Sequence, residues 1–158
     1  MIKVIEPTTA EHLGVARDLF EEYAQLLSVD LGFQEFKEEL DNLPGKYARP
    51  GGALYLAVGE RGPVGCVALR KLADDVCEMK RLFVKPAFQR MGIGEMLARR
   101  IIEEAKTLGY PIMRLDTLDR LHAAMRLYER LGFKRVEPYY YNPLSGVVYW
   151  ELNLTQSQ

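Results

Sequence analysis

Two glycines separated by one residue, Gly92 and Gly94, are the strongest indication in this sequence of a ligand site made by backbone groups. They follow a predicted strand and open a predicted helix, within the segment Gln89-Arg90-Met91-Gly92-Ile93-Gly94. Glycine lets the backbone approach a ligand closely, and the first amides of a helix have no partner within that helix. Together with the helix dipole, such amides form a site suited to phosphate. The alternative is a tight strand-to-helix turn without a ligand.

The charge around this turn favours the anion site. Residues 79–100 contain six basic side chains and one acid, Glu95. Two phosphate-binding motifs are excluded. No Gly-Lys-Ser/Thr follows, as a P-loop requires, and Leu97 stands where the dinucleotide fingerprint needs its third glycine. Each basic side chain could equally be an ordinary solvated surface residue.

Three segments of the chain together carry a recognisable pattern. The glycine turn fits the pattern Gln/Arg-x-x-Gly-x-Gly/Ala at Gln89, Gly92 and Gly94. Upstream, residues 80–86 read Lys-Arg-Leu-Phe-Val-Lys-Pro, and downstream, residues 124–133 read Ala-x-x-Leu-Tyr-Glu-Arg-Leu-Gly-Phe. In these segments the chain resembles the GNAT superfamily of acyl-CoA-dependent N-acetyltransferases. The motifs cover residues 78–133, and the order of elements extends the resemblance to nearly the whole chain.

The resemblance implies that acetyl-CoA is the cosubstrate. In the family, amides of the glycine loop bind the pyrophosphate, and a strand of the sheet pairs with the pantetheine arm. Arg90 or Lys85 could also meet the nucleotide phosphates. The cofactor-binding residues implied for this chain are Leu82, Phe83 and Val84 on the strand, and Gln89, Arg90, Met91, Gly92, Ile93, Gly94 and Glu95 in the loop.

Acetyl transfer to an amine calls for a base, because an alkylamine with a pKa of about 10.4 is mostly protonated at neutral pH. The resemblance implies that Glu78 is this general base and that Tyr128 is the general acid for the coenzyme A sulfur. Glu78 could instead be a salt-bridged residue beside Lys80, and Tyr128 a core aromatic. A backbone N–H such as that of Val84 would meet the oxyanion. The asparagine that relatives often carry seven residues before the tyrosine is replaced by Leu121.

The elements that position these residues alternate between short strands and amphipathic helices. Thr8 followed by Glu11 is typical of a capping box at the start of the first helix. A second helix is predicted over residues 33–43, before Pro44, and two more over residues 93–108 and 121–131. Alternating or continuous apolar runs predict strands over residues 2–5, 53–58, 64–72, 76–84, 112–117, 133–136 and 147–152.

The predicted order β-α-α-β-β-β-α-β-α-β-β indicates an α+β (mixed α/β) fold, and its three hairpin-connected strands argue against a doubly wound nucleotide fold. Together with the resemblance, this order implies a central mixed, mostly antiparallel sheet of about seven strands flanked by four helices. The parallel strands over residues 76–84 and 112–117 would splay apart to admit the pantetheine arm. Residues 1–154 are expected to form a single domain and residues 155–158 a polar tail.

Composition excludes several classes of protein. The 158 residues carry 21 basic and 22 acidic side chains, a formal net charge of −1, which argues against a strongly basic nucleic-acid binder. No run approaches the ~20 apolar residues that cross a bilayer, and no secretory signal is recognised. Cys66 and Cys77 lie in apolar runs without zinc-type neighbours, which predicts reduced core thiols and no metal. We expect a cytoplasmic protein that binds neither nucleic acid nor membranes.

The acceptor implied by the family is a primary amine of a small molecule or peptide. Residues 1–50 contain ten acids and five bases, which could attract a cationic amine or simply cover the solvent faces of helices. The loop Tyr139-Tyr140-Tyr141-Asn142-Pro143 could line the acceptor site, form a structured turn or contact the second subunit of a homodimer. The alternative function is a non-catalytic acyl-CoA-binding or sensing module.

Overall fold

The computed structural model describes residues 1–28, 30–32 and 35–155. Within them the predicted order of helices and strands is confirmed, with two short 3-10 turns added at Gly45–Tyr47 and Pro86–Phe88. The helices are α1 (Ala10–Leu27), α2 (Phe36–Asp41), α3 (Ile93–Thr107) and α4 (His122–Arg130). The strands are β1 (Lys3–Ile5), β2 (Ala53–Gly59), β3 (Gly62–Ala73), β4 (Val76–Val84), β5 (Ile112–Leu118), β6 (Lys134–Val136) and β7 (Val147–Asn153).

The seven strands form one sheet in the order β1-β2-β3-β4-β5-β7-β6. Only β4 and β5 run parallel, because α3 carries the chain across the sheet between them, and every other neighbouring pair is antiparallel. The predicted mixed, mostly antiparallel sheet with four helices is therefore confirmed. No helix in the described ranges is long and apolar enough to span a membrane.

The start of α1 differs from the prediction by one residue. Thr9, not Thr8, is the N-cap, and its Oγ1 accepts a hydrogen bond of 3.1 Å from the N–H of His12. His12 replaces the glutamate of a capping box, because its Nδ1 accepts a hydrogen bond of 3.2 Å from the N–H of Thr8. The second bond of a capping box starts at the N–H of the N-cap residue, whereas here it starts one residue earlier, at Thr8.

The second helix is shorter than predicted, and residue 33, its predicted first residue, lies outside the described residues. α2 ends at Asp41 because Asn42 bonds back to the last turn, with both its N–H and its Nδ2 donating to the carbonyl of Glu38. The chain then passes through Pro44 into the 3-10 turn, which buries Tyr47. Of the predicted tail, Thr155 is described and donates to Asn153 Oδ1, whereas residues 156–158 lie outside the described residues.

The two faces of the sheet are covered by different helices. α1 packs against one face together with Leu54, Leu56, Cys66, Ala68 and Phe83. The other face packs against α3 and α4 and forms the larger core cluster, to which Cys77 and Met79 belong. Cys66 and Cys77 are buried free thiols, as predicted, and burial raises the pKa of Cys77 to about 12.

Strand β4 changes its alternation at a β-bulge. Arg81 has a φ of 60°, and Arg81 and Leu82 together oppose one residue of β3. Before the bulge, Glu78 and Lys80 point to the face that α1 covers, because Cys77 and Met79 point to the opposite core. After the bulge, Leu82 and Val84 pack against the core under α3 and α4. One strand therefore presents side chains of different chemistry to the two faces.

Candidate active site

The parallel strands β4 and β5 pair over three residues only, from Val76 with Ile112 to Glu78 with Arg114. Beyond this point the register contains no further β4–β5 pair in the described part of the chain, although β4 continues to Val84 and β5 to Leu118. The predicted splay is thus present. It leaves one edge of β4 without a strand partner over its last residues.

A cleft of about 450 Å³ opens at this gap between β4, the start of α3 and α4. It brings together nine of the ten predicted cofactor-binding residues, and Tyr128 also lines it. The exception is Met91, which is largely exposed and does not line the cleft. The nine are Leu82, Phe83, Val84, Gln89, Arg90, Gly92, Ile93, Gly94 and Glu95.

The two glycines of the turn serve different purposes. Gly92 has a φ of +80°, a conformation that side chains with a Cβ rarely adopt, and it is the N-cap of α3. Gly94 has no such requirement, and a Cβ there would lie 3.8 Å from Val84 and 4.0 Å from Leu127, between the two walls of the cleft. Gly94 therefore keeps the cleft open, whereas Gly92 shapes the turn.

The first amides of α3 are free of helical hydrogen bonds. The first such bond runs from the N–H of Met96 to the carbonyl of Gly92, at 3.0 Å, and no side chain caps this end. The N–H groups of Ile93, Gly94 and Glu95 therefore have no acceptor within the helix. They lie at its positive end, beside the cleft.

The backbone of Val84 is directed to the unpaired edge of β4. The N–H of Lys85 bonds to the carbonyl of Val64 on β3, so the N–H and C=O of the preceding residue point the other way. Gln89 Nε2 donates to the carbonyl of Val84 at 3.1 Å, which ties the glycine turn to the strand. The N–H of Val84 is left directed into the gap.

Two arginines of the cleft, Arg126 and Arg130, were not predicted from the sequence. They lie one helical turn apart on α4. Arg130 follows Leu127 by three residues, so the helical period of α4 could have placed these arginines near Leu127, which also lines the cleft. Arg130 pairs with Glu95 at 3.2 Å. Lys85, by contrast, does not line the cleft, and its Nζ lies 3.8 Å from Oε1 of Glu22 on α1.

Tyr128 lies on the inner face of α4, where the apolar period predicted it. Its ring packs against Phe133 and Trp150, at centroid distances of 5.6 and 6.3 Å. Burial raises the pKa of its hydroxyl well above the usual value, and Tyr23 and Asp116 raise it further. Tyr128 therefore stays protonated and is a hydrogen-bond donor throughout the physiological pH range.

Glu78 is the second member of a row of alternating charges that crosses five strands at one level. In register the row reads Arg70, Glu78, Arg114, Glu151 and Lys134. Opposite charges on paired strands attract, and Nε–Oε distances are 2.7 Å for Arg70–Glu78 and 2.9 Å for Arg114–Glu151. Glu78 is only 1% exposed, and this pairing offsets the free energy lost when its carboxylate is removed from water.

The second oxygen of Glu78 accepts a hydrogen bond of 2.6 Å from the hydroxyl of Tyr139. Burial alone would raise the pKa of Glu78. The charges of Lys80 and Arg70 and the hydrogen bonds from Tyr139 and Arg70 outweigh it and lower the pKa. Glu78 is therefore ionised at neutral pH and is a salt-bridged residue as well as a carboxylate facing a cavity.

That cavity, about 600 Å³ in volume, lies on the side of the sheet that carries the charge row. Tyr139 and Tyr140 line it, whereas Tyr141 is 84% exposed, so the tyrosine loop is part of the cavity wall. Of the ten acids in residues 1–50, only Glu35 is among the lining residues. The lining residues are Glu35, Lys46, Arg70, Leu72, Glu78, Lys80, Arg114, Tyr139 and Tyr140.

A narrow space of about 30 Å³ lies between the cavity and the cleft. It shares Lys80 with the cavity and Tyr23, Leu82 and Tyr128 with the cleft. Tyr23 lies on α1 three residues after Phe20 and four before Leu27, so the helical period could have placed it here.

Asp116 lines the same narrow space and is a further polar residue that the sequence reasoning did not identify. It accepts hydrogen bonds from Tyr140 and from Asn142. In the described ranges, no three His, Cys, Asp or Glu side chains are grouped as metal ligands.

Comparison with known proteins places this geometry in a family. An uncharacterized N-acetyltransferase of Schizosaccharomyces pombe is 44% identical over 140 residues, which cover 87% of this chain and 86% of that protein. The N-acetylaspartate synthetase of Danio rerio is 36% identical over 100 residues, 62% of this chain but only 36% of that protein.

Similarity of structure extends over the whole fold. The PaiA N-acetyltransferase of Thermoplasma acidophilum, solved in complex with coenzyme A, superposes with a TM-score of 0.74 at 16% identity, covering 97% of this chain and 99% of that one. The sequence profile described as the Acetyltransferase (GNAT) family matches residues 16–133. This chain belongs to the GNAT acetyltransferase family.

Proposed function

We propose that this protein transfers the acetyl group of acetyl-CoA to a primary amine of a small molecule or peptide, with Glu78 as general base and Tyr128 as general acid. One observation carries the proposal. The gap between β4 and β5 lies between a cleft lined by Tyr128 and a cavity lined by Glu78, and a narrow space between the two shares lining residues with both.

The residues of the cleft fit acetyl-CoA. The unbonded amides of Ile93, Gly94 and Glu95 suit the pyrophosphate, and the missing side chain at Gly94 leaves room for it. Arg90, Arg126 and Arg130 add positive charge around the same cleft. The unpaired edge of β4 provides backbone groups for the pantetheine arm, in the manner of an added strand.

On the acceptor side, the lowered pKa of Glu78 keeps it ionised. An ammonium approaching the gap is attracted to this carboxylate, which then takes its proton, directly or through water, as the nitrogen attacks the thioester carbon. The N–H of Val84 is directed to the gap, where it can donate to the oxygen that becomes negative in the transition state.

On the leaving-group side, the carbon–sulfur bond breaks and the thiolate needs a proton. Tyr128 remains protonated because burial raises the pKa of its hydroxyl. It can therefore donate a hydrogen bond to the sulfur throughout the reaction and transfer its proton as negative charge develops there.

Similarity to an N-acetylaspartate synthetase supports an amine of amino-acid size as the acceptor, since the product named there is an N-acetylated amino acid. That similarity spans about a third of the other protein and does not extend its activity to this chain. It makes amino acids the first group to include in an amine panel.

The test has two stages. Calorimetry first measures the binding of acetyl-CoA, and a thiol-release assay with a panel of amines then measures turnover. Tyr128→Phe should lower turnover about 10²-fold or more with little change in acetyl-CoA affinity, in line with the usual contribution of a general acid.

Tyr141→Phe is the matched control, because Tyr141 is exposed and outside both the cleft and the cavity. Absence of acetyl-CoA binding would reject the proposal outright. Binding without turnover of any amine would favour the sensing module, and full turnover of Tyr128→Phe would refute the general-acid role.

A further inference from the structure

The cavity beside Glu78 is cationic. Lys46, Arg70, Lys80 and Arg114 line it, against two carboxylates, Glu35 and Glu78. These four cations come from the 3-10 turn after α2 and from strands β3, β4 and β5, so only the folded register brings them together. A wall of this kind attracts anions and repels amines that carry only positive charge.

The two lining carboxylates leave an excess of two positive charges among the residues that line the cavity. Glu78 is already held by Arg70 and by Tyr139, whereas Glu35 lies exposed at the rim. The acids that pair with Lys46 and Arg114 are Glu39 and Glu151, at 3.1 and 2.9 Å, and neither lines the cavity. They hold those two cations from outside the cavity.

Lys80 is the most deeply placed of the four cations, with a side chain only 7% exposed. Burial lowers the pKa of Lys80 to about 8. The charges of Arg81 and Lys46 lower this pKa further, whereas those of Glu78 and Asp116 raise it. A ligand anion bound beside Lys80 would stabilise its positive charge.

The arrangement of Glu78 and Lys80 also matches a ligand with two opposite charges. The two side chains project from the same face of β4, two residues apart, and Lys80 Nζ lies 3.9 Å from Glu78 Oε1. An α-amino acid carries an ammonium and a carboxylate separated by one carbon atom. The ammonium suits Glu78 and the carboxylate suits Lys80, with Arg114 beside them on β5.

We infer that the acceptor in the proposed acetyl transfer is an amino-acid-like amine whose carboxylate binds to the Lys80 and Arg114 side of this cavity. The inference rests on that proposed function for the fate of the amine but concerns a separate property, recognition of the carboxylate. The bond of Arg114 to Glu151 uses one of its five N–H donors, and the other four belong to a planar group that suits a carboxylate. The cavity volume is within the usual range for small-molecule sites.

The experiment compares each L-amino acid with its carboxamide, which keeps the amine and the shape but lacks the negative charge. Dissociation constants are measured by calorimetry on the protein saturated with coenzyme A, and kcat/KM is measured by thiol release with acetyl-CoA. We expect the acid form of the acceptor to bind at least tenfold more tightly than its amide. Lys80→Met should bring this ratio close to one without changing acetyl-CoA affinity.

Lys71→Met is the matched control, because Lys71 is 55% exposed, pairs with Asp74 and does not line the cavity. If Lys80→Met fails to fold, Arg114→Gln replaces it, since this side chain is 32% exposed and its loss should lower the ratio at least threefold. A ratio unchanged in the folded variant overturns the inference.

The outcomes separate this inference from the proposed function. Equal binding of acids and amides, or a preference for diamines or for an aminoalkyl phosphate, overturns carboxylate recognition even if acetyl transfer is observed. Tight binding of amino acids that depends on Lys80 supports carboxylate recognition even if no acetyl group is transferred, in which case it is the proposed catalysis that fails.

Discussion

The cleft and the cavity of this protein are built in different ways, although they meet at one strand. The cleft uses backbone groups and glycines from a short continuous segment, residues 82–95, closed by α4. The cavity uses charged and aromatic side chains that range in sequence from Glu35 to Tyr140. The proposed binding of acetyl-CoA in the cleft therefore depends mainly on the backbone conformation of residues 82–95. The proposed binding of the acceptor in the cavity depends instead on side chains that the register of the sheet brings together.

The bulge at Arg81 makes this division possible. Its left-handed backbone shifts the alternation of β4, so that Glu78 and Lys80 face the cavity whereas Leu82 and Val84 face the cleft. Arg81 itself is buried and makes two hydrogen bonds of 2.9 Å with Glu39 of α2. The same residue thus shapes the strand and fixes α2 near the cavity.

The largest effect should come from Glu78, which lines the cavity at the last paired position of β4 and β5. Glu78→Gln keeps the shape of the side chain but removes its charge, and a general base usually contributes ~10²–10⁴-fold to rate. We expect kcat/KM for the amine to fall by about that factor, whereas the affinity for acetyl-CoA, which is proposed to bind in the cleft, stays unchanged. Thiol release and calorimetry measure the two quantities.

Glu151→Gln is the control for this prediction. Glu151 belongs to the same row of charges and pairs with Arg114, but it lines neither region. If Glu78→Gln and Glu151→Gln lower kcat/KM equally, the charge of the row matters for the sheet and Glu78 has no separate role as a base.

A smaller effect, confined to the cleft, is expected for Gly94. The Cβ and methyl groups of Gly94→Val would project between Val84 and Leu127, where a Cβ has only ordinary contacts with the protein. The substitution should therefore leave folding intact but weaken acetyl-CoA binding by about 10- to 100-fold, the equivalent of one or two hydrogen bonds to a charged group. Calorimetry with acetyl-CoA measures the loss.

Gly14→Val is the matched control, since Gly14 lies within α1 and nothing stands within 4 Å of a Cβ built there. Amino-acid binding to the cavity should be the same in both variants. Unchanged acetyl-CoA affinity in Gly94→Val would show that the cleft does not hold the cofactor at this turn.

The difference between the two regions also explains what the sequence could predict. The glycine turn and Val84 are close together in the chain, and Tyr128 stands in a short helical motif. These local segments carry the family resemblance, and it was the resemblance that implied one cofactor site for them. Strand and helix order followed from apolar periodicity, with β4 predicted over the same residues, 76–84, that the structure assigns. Errors such as Thr8 for Thr9 arose where two adjacent residues can cap a helix equally well.

The cavity could not be predicted in this way, because its residues meet only through strand register. Arg70 and Arg114 lie opposite Glu78 on the two neighbouring strands, and a shift of one residue in either strand would turn them to the other face. The acidic N-terminal residues gave the opposite impression of the acceptor site. Only Glu35 among them reaches the cavity, and Glu39 is occupied by Arg81 and Lys46.

The smallest predicted effect is the pH dependence of binding in the cavity. An N-acetyl amino acid is the suitable probe, because it has the carboxylate but no amine that titrates. Lys80 has a pKa lowered to about 8, so it is charged below this pH and loses its charge above it, in the presence of Glu78, Arg81, Asp116 and Lys46. Affinity for the probe should therefore fall about tenfold between pH 7 and pH 9.

The cleft supplies the internal comparison for this titration. Coenzyme A should bind with nearly constant affinity over the same range, since the backbone amides of α3 do not titrate and the arginines stay charged. Lys80→Met should bind the probe weakly at every pH and with no slope. A slope that persists in that variant would assign the titration to a different group, and a flat profile in the unmodified protein would remove Lys80 from carboxylate recognition.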